Sequence, residues 1–252
     1  MNRRLAHRVR HSMAIPRLKW TALREWERFV GALDSVRREP RRVGPWVVQV
    51  AGLAAKTVVV ALLPFFALVR MAVFLYQREG WPTALALAGG TACTAVVLTA
   101  YGAWIWHRLT GRVRSALIAR RVALPFVVAY CAYALVYLSA TNAKSEQVRA
   151  YYRSLHPLLR VALSTLVLAD RDVVITDLAR RPEDYATMGL PRHDGTLHYV
   201  QRDGYAHAAD LRTAGRGMVR NRLVQLYFWS MGFNTLRHVG TADHLHVELP
   251  MR

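Results

Sequence analysis

The sequence predicts an α-helical membrane region with three transmembrane helices, followed by a small α+β domain. Three long apolar runs lie between about residues 43 and 140 and contain almost no acidic residues. Runs of about 20 apolar residues match the thickness of the bilayer core. Residues 141–252 contain no run of that length, and short helical and strand patterns follow one another there. We therefore expect three parts: a basic tail (1–42), a membrane region (43–140) and the α+β domain (141–252).

The overall composition supports this division. The chain has 252 residues, of which 53% are hydrophobic and 20% are charged, with a formal net charge of +19. Because the apolar residues are concentrated in three runs, a single soluble globule is excluded. Cys93 and Cys131 both lie within apolar runs, so they give neither a metal-type spacing nor a disulfide framework.

The tail, residues 1–42, carries twelve Lys and Arg residues against four acids. The apolar core of a cleavable signal peptide would lie nearer the start, so we expect none. Basic residues before an apolar span normally fix topology, so we favour contact with an anionic lipid leaflet over nucleic-acid binding. An amphipathic helix is predicted from residues that recur at helical spacing among the charges, namely Trp20, Leu23, Trp26 or Glu27, Val30 and Leu33.

The predicted spans are residues 47–69, 82–106 and 122–139. The first contains Lys56, which is either a functional group or, as we favour, a side chain that reaches the interface or a neighbouring helix. The second contains Gly89, Gly90 and Ala92, small residues that let helices approach closely, and it ends at the interfacial anchors Trp104 and Trp106.

The short loops predict the orientation. The loop 107–121 carries five Arg residues and no acid, whereas the loop 77–81 carries one Arg and one Glu. The positive-inside rule then places the tail and the loop 107–121 in the cytoplasm. Three crossings from this start place the residues after about 141 outside.

The α+β domain is predicted from helical and alternating periodicity. The predicted helices are 145–168 with a bend at Pro157, 182–188, and 218–231. The predicted strands are 172–176, 197–200, 206–211, 235–239 and 244–249.

Histidine and aspartate residues on two of the predicted strands, 206–211 and 244–249, are candidates for a metal or catalytic site. A period of two puts His244 and His246 on one face of the final strand, with Asp243 just before them. Asp210 shares its strand face with small alanines, which leaves room for a metal or substrate, while His207 falls on the opposite face. Two imidazoles and an acid can supply a zinc ligand, a charge stabiliser and a base.

Three stretches together resemble the zinc D-alanyl-D-alanine carboxypeptidase family. They are Gly-Thr-Leu-His-Tyr at 195–199, Ala-Ala-Asp-Leu-Arg-Thr at 208–213 and Asp-His-Leu-His-Val at 243–247. That family includes vancomycin-resistance-type D,D-dipeptidases and phage L-alanyl-D-glutamate endopeptidases, and the Hedgehog signalling domain shares its fold. The resemblance covers about residues 173–249 and none of the membrane region.

The resemblance implies a ligand set and a substrate class. His198, Asp210 and His246 would bind Zn²⁺ and leave a fourth position to water, the composition of a catalytic zinc site. The substrates would be peptidoglycan stem peptides.

The resemblance also implies catalytic roles. Asp243 would take the place of the acid that removes a proton from the zinc-bound water, and His244 would hold developing negative charge. Arg180, in the segment Ile-Thr-Asp-Leu-Ala-Arg at 175–180, would orient a substrate carbonyl or carboxylate, with Arg181 as the alternative.

The sequence departs from the family pattern around the first ligand. The family's first His lies seven positions before the Asp, where this chain has Asp203, while His198 lies twelve before. The extra residues 201–205 can form a hairpin turn with Asp-Gly at its tip, which would keep both ends in place. Otherwise His207 becomes the alternative ligand. Further departures are Thr196 for Ser, Ala206 for Gly and an Asp base for Glu.

Together with the predicted topology, the resemblance implies a membrane-anchored zinc metallopeptidase of the bacterial cytoplasmic membrane, with its catalytic domain on the cell-wall side. The expected partners are peptidoglycan peptides and membrane lipids, and no nucleic acid. One alternative is a membrane-tethered cell-wall-binding or scaffold module with a degenerate peptidase fold. Another is a three-helix membrane protein with a lipid- or DNA-binding tail, in which the histidines are dispensable. The sequence specifies neither exo- or endopeptidase action nor an oligomeric state.

Overall fold

The structure, a computed structural model, describes residues 44–180, 183–184, 189, 195–240 and 243–251. The amphipathic helix predicted in the tail lies outside these residues, and so does Arg181. Most of the helix predicted at 182–188 also lies outside them, although Glu183 and Asp184 are helical.

Three long helices form the first half of the described chain. They are α1 (Pro45–Gln77), α2 (Thr83–Thr110) and α3 (Ser115–Val136), which includes a π-helical stretch at Ala119–Ala123. Each is long and apolar enough to cross a membrane, which confirms three candidate spans and indicates a membrane protein. The predicted orientation stays a prediction.

The chain divides into two compact units, residues 1–56 and 57–252. In the first unit, the described residues are mainly the start of α1, where Trp46, Leu53 and Lys56 are exposed. The second unit contains the rest of the described chain, including most of α1 and the whole sheet. The predicted domain boundary between residues 140 and 141 stays a prediction.

A glycine sets the close approach of α2 to α1. A Cβ atom added to Gly90 would lie 2.5 Å from the Leu68 carbonyl oxygen and 2.9 Å from the Ala72 Cβ. No side chain fits into that space, so only glycine allows this helix separation. Gly90 therefore has the packing role predicted from the small residues of the second span.

The helix predicted at 145–168 is interrupted rather than bent. It consists of α4 (Glu146–Ala150), a 3₁₀ turn at Tyr151–Ser154 and α5 (Pro157–Ala169). Proline disfavours helical backbone at the preceding residue, and His156 is accordingly non-helical (φ −55°, ψ 134°). The His156 side chain instead caps α5, because its Nδ1 accepts the Leu158 N–H at 3.3 Å.

A four-stranded antiparallel sheet follows, in the order β1-β2-β4-β3. The helix predicted at 218–231 is confirmed as α6 (Met218–Met231). The strand predicted at 197–200 is wrong, because these residues form turns and a bend. The other four strand predictions are confirmed with shifted ends: β1 (Ile175–Asp177), β2 (Ala208–Arg212), β3 (Asn234–His238) and β4 (His244–Glu248).

One face of the sheet builds the core, and the other carries the site. Leu245 and Val247 of β4 are buried in the same apolar cluster as Leu159 of α5 and Phe228 of α6. Since side chains alternate along a strand, the residues between them, including His246, face the other way. The apolar side of the sheet therefore packs against α5 and α6, and the opposite side carries Asp210 and His246.

Candidate metal centre

The sheet register brings the predicted ligands together. Asp210 on β2 lies opposite His246 on β4, and on its other side it lies opposite Asp177 on β1. Because β2 and β4 are the two central strands, this polar face is flanked by a strand on each side. A buried carboxylate therefore lies near the middle of the sheet.

The three predicted ligands converge on one point. The Asp210 Oδ1 atom lies 2.8 Å from His246 Nδ1 and 3.3 Å from His198 Nε2. One potential ligand atom from each residue lies within 4.8 Å of the others. Tetrahedral zinc, bound at about 2.0–2.1 Å, separates neighbouring ligand atoms by about 3.3 Å. This donor set and its spacing fit a zinc-type cation held by one carboxylate and two imidazoles.

Neighbouring groups aim the two imidazoles at this point. The His198 Nδ1 atom is hydrogen-bonded to the Leu178 carbonyl oxygen, and a carbonyl can only accept, so Nδ1 carries the proton and Nε2 is free to bind. The His246 Nε2 atom lies 3.5 Å from Glu248 Oε2, which directs Nδ1 toward Asp210. Metal-binding histidines typically donate their second ring N–H to a carbonyl or carboxylate in this way.

The electrostatics keep Asp210 ionised. Burial alone would raise the pKa of Asp210, but hydrogen bonds to His198 and His246 hold it well below its ordinary value. The hydrogen bond between Asp210 and His246 raises the pKa of His246, although burial by itself would lower it. Asp210 is therefore an anionic ligand at neutral pH, as binding of a divalent cation requires.

The segment at 201–205 folds as a turn, as the Asp-Gly pair predicted, and His198 lies beside Asp210. The Gln201 N–H donates to the Tyr205 carbonyl at 2.8 Å, and the Gly204 N–H donates to the Gln201 carbonyl at 2.9 Å. Gly204 has a φ of 84°, in the left-handed region that favours glycine. The chain then returns, so that the His207 N–H donates to the Leu197 carbonyl at 2.8 Å.

The alternative ligand His207 is wrong for this centre. Its Nε2 atom contacts Asp203 Oδ2 at 2.8 Å, and the residue belongs to a second cluster with His156 and Asp203. The alternation along the chain explains this, because His207 and Asp210 point to opposite faces, as the sequence predicted.

Two of the predicted catalytic residues contact or approach the ligand Asp210. The Arg180 Nη2 atom donates to Asp210 Oδ2 at 3.1 Å, and the Arg180 Nε atom pairs with Asp177. The His244 Nε2 atom lies 3.8 Å from Asp210 Oδ1. Arg180 and His244 therefore lie beside the cluster, and Arg180 is held there by its ion pairs with Asp177 and Asp210.

Two cavities adjoin the cluster. A cavity of about 620 Å³ is lined by Asp210, Asp243 and His244, and one of about 610 Å³ by Asp210, His198 and His246. Asp243 therefore shares a cavity with Asp210. Its carboxylate also accepts the Gly240 N–H at 2.6 Å, which fixes its position in the turn before β4.

Sequence reasoning missed two residues near the cluster. Glu248 orients His246, and it is itself held by Asn234, whose Nδ2 donates to Glu248 Oε1 at 2.9 Å. His238 stacks on His244 with ring centroids 4.6 Å apart, because the two residues are register partners on β3 and β4. Alternation along Asn234–His238 signals the face of His238, but only the strand pairing gives its neighbour.

Comparison with protein-family models, with curated proteins and with solved structures gives no match to this chain. The interpretation of the site therefore rests on its donor atoms and their geometry. Those atoms define a group that could hold a metal ion. The identity of the ion and the reaction it would serve are proposals.

Proposed function

We propose that this protein is a membrane-anchored zinc metallopeptidase that hydrolyses peptide bonds in peptidoglycan stem peptides. The single observation that supports it is the convergence of His198, Asp210 and His246 around one point beside two cavities. Two imidazoles and one carboxylate, with a position left for water, are the composition of a catalytic zinc site. The resemblance of these stretches to the carboxypeptidase family supplies the substrate class.

The residues around the ligands have roles in the proposed hydrolysis. When bound, zinc would lower the pKa of a coordinated water toward about 7 and polarise the scissile carbonyl. Asp243 accepts the proton of the attacking water and returns it to the leaving amine. His244 stabilises the negative charge that develops on the carbonyl oxygen, and Arg180 orients the substrate carbonyl or carboxylate.

The proposed location follows from the arginine-rich loop and the three candidate spans. The tail would lie in the cytoplasm against anionic lipids, and the α+β region would lie on the cell-wall side of a bacterial cytoplasmic membrane. That location would give the site access to peptidoglycan.

The test is hydrolysis of purified muropeptides by the full-length protein in detergent micelles, with and without a zinc chelator. We expect chelator-sensitive cleavage that His246→Ala abolishes together with zinc binding. Asp243→Asn should keep zinc and lower the turnover by about 100-fold or more, since general acid–base catalysis contributes that much. His107→Ala, which alters an exposed histidine of α2, is the matched control and should leave cleavage unchanged.

Cleavage that survives both the chelator and His246→Ala would refute a zinc peptidase. Muropeptide binding without any turnover, in a zinc-loaded protein, would instead support the alternative of a cell-wall-binding or scaffold module with a degenerate site. The hydrogen bond from Gly240 to Asp243 favours that alternative, because it occupies one oxygen of the proposed base.

A further inference from the structure

A second group of metal-type donor atoms lies apart from the centre described above. It consists of His156, Asp203 and His207, and one potential ligand atom from each lies within 4.8 Å of the others. Both imidazoles have no exposed surface, whereas the Asp203 side chain is 37% exposed. The cluster is therefore buried but has one ligand that reaches solvent.

The donor atoms face one another closely. The Asp203 Oδ2 atom lies 2.8 Å from His207 Nε2 and 3.8 Å from His156 Nε2. The two imidazole rings have centroids 4.7 Å apart. A hydroxyl oxygen, Thr83 Oγ1, lies 3.0 Å from His156 Nε2 and adds a fourth donor at the same place. Two nitrogens and one carboxylate oxygen thus face one another, and the Thr83 hydroxyl contacts one of the two nitrogens.

This arrangement parallels the first centre. There too, imidazole nitrogens approach one carboxylate oxygen at 2.8 and 3.3 Å. These distances are close to the ligand separations of about 3.3 Å expected around tetrahedral zinc. The difference lies in access: the first centre lines two cavities, whereas the imidazoles of the second are completely enclosed.

Binding a cation through the two Nε2 atoms would change three hydrogen bonds. The contacts of His156 Nε2 with Thr83 Oγ1 and of His207 Nε2 with Asp203 Oδ2 would be replaced by bonds to the cation. The Leu158 N–H donates to His156 Nδ1 at 3.3 Å, so coordination through Nε2 would move the ring proton to Nδ1 and end that contact. The first N–H groups of a helix have no partner within the helix. The contact that no bond to the cation would replace is therefore this long capping interaction at the start of α5.

We propose that His156, Asp203 and His207 form a second zinc site, with a structural role, and that Thr83 supplies or supports the fourth position. Its donors come from the start of α2, the N-terminus of α5, the turn at 201–205 and the residue before β2. A cation here would fasten the sheet to the first turn of a candidate transmembrane helix. The site also assigns a structural role to the turn at 201–205, because this turn places Asp203 beside the two histidines. The site requires no peptidase activity.

The test is the zinc content of the full-length protein in detergent micelles, stripped with a chelator and reloaded with Zn²⁺. Zinc per chain is counted by mass spectrometry after removal of the excess. We expect two zinc ions in the wild type, one in Asp203→Asn, one in His246→Ala and none in the double variant. Arg202→Ala, in the same turn, is the matched control and should keep two.

A thermal-unfolding readout guards against misfolding of the variants. Zinc should raise the Tm of His246→Ala, which retains only the second site, and should not raise the Tm of the double variant. An unchanged zinc count in Asp203→Asn, or a single wild-type zinc that His246→Ala removes, would overturn the proposal. A single wild-type zinc that Asp203→Asn removes would support it and refute the first centre instead.

Discussion

The protonation of one ring nitrogen determines whether a histidine can bind a metal. In His198 the Leu178 carbonyl holds the proton on Nδ1, and this leaves Nε2 toward Asp210. In His246 the orientation is the reverse, because Glu248 lies beside Nε2 and Asp210 beside Nδ1. The two rings present different nitrogens, and the cause in each case is an oxygen on the far side of the ring.

Replacing Glu248 tests this orientation. Glu248→Ala should weaken zinc binding at the first centre by about 10-fold to 100-fold, because His246 loses the group that positions it and raises its basicity. Glu248→Gln should weaken binding less, since its amide oxygen can still accept the Nε2 proton. The measurement is competition with a chromophoric chelator.

The matched control for Glu248 is Glu146→Ala, which removes a carboxylate that pairs with the exposed side chain of Arg149. It should bind zinc as the wild type does. Equal zinc affinity in Glu248→Ala and Glu146→Ala would show that Glu248 does not orient His246.

At the scale of elements, a side chain of α2 replaces a hydrogen bond that a proline removes from α1. Pro64 has no N–H, so the Val60 carbonyl lacks its usual partner four residues on. Tyr101 of α2 donates its hydroxyl to that carbonyl at 3.1 Å. The Thr94 hydroxyl, which donates to the Gly90 carbonyl of its own helix at 2.9 Å, also lies 3.2 Å from the Pro64 carbonyl. Unpaired carbonyls are costly in a membrane, so such side-chain donors stabilise the helix pair.

Tyr101→Phe removes the donor to Val60 and keeps the ring. We expect the free energy of unfolding to fall by about 0.5–1.5 kcal/mol, the usual range for hydrogen bonds between membrane helices. Unfolding of the full-length protein in mixed micelles measures it. Tyr133→Phe is the control, because Tyr133 is 44% exposed and contacts Tyr137 through its ring. An equal effect of both variants would argue against the Tyr101 hydrogen bond.

Across the whole molecule, basic side chains outnumber acidic ones by 35 to 16, so the ion pairs of the few acids are important for stability. Asp170, after α5, pairs with Arg216 and with Arg220 of α6. Burial would raise the pKa of Asp170, but these hydrogen bonds and charges hold it below its ordinary value. Its ion pairs therefore stabilise the fold above the ordinary pKa, and this contribution is lost as the pH falls through the lowered one.

Asp170→Asn should reduce the free energy of unfolding at pH 7 by about 1 kcal/mol, a modest loss because Arg220 is partly exposed. The difference from the wild type should shrink as the pH falls from the ordinary pKa of Asp, about 3.9, toward the lowered pKa of Asp170 in the folded protein. Thermal unfolding across this pH range measures it. Asp172→Asn, at an acid 72% exposed, should change little, and a pH-independent loss in Asp170→Asn would contradict the ion-pair explanation.

Local pattern was enough to predict the elements whose periodicity is long or uninterrupted. The three apolar helices and α6 follow from runs of apolar residues and from helical spacing, and β4 from strict alternation. Prediction from the sequence pattern failed where contacts with distant segments determine the backbone conformation. Residues 197–200 have the sequence pattern of a strand. However, the His198 carbonyl accepts the Arg180 N–H and the Leu197 carbonyl accepts the His207 N–H. Because these partners come from two different segments, the residues form a turn.

The sequence alone determined the membrane-type helices and the strand faces on which Asp210, His244 and His246 lie, and it offered a turn at 201–205 that would keep His198 in reach. Each depends on spacing along one segment, which local geometry fixes. The tertiary structure decided that His207 joins His156 and Asp203, and that Glu248 supports His246. Those partners come from segments far apart in the chain, and only strand pairing and helix packing bring their side chains within a few ångströms.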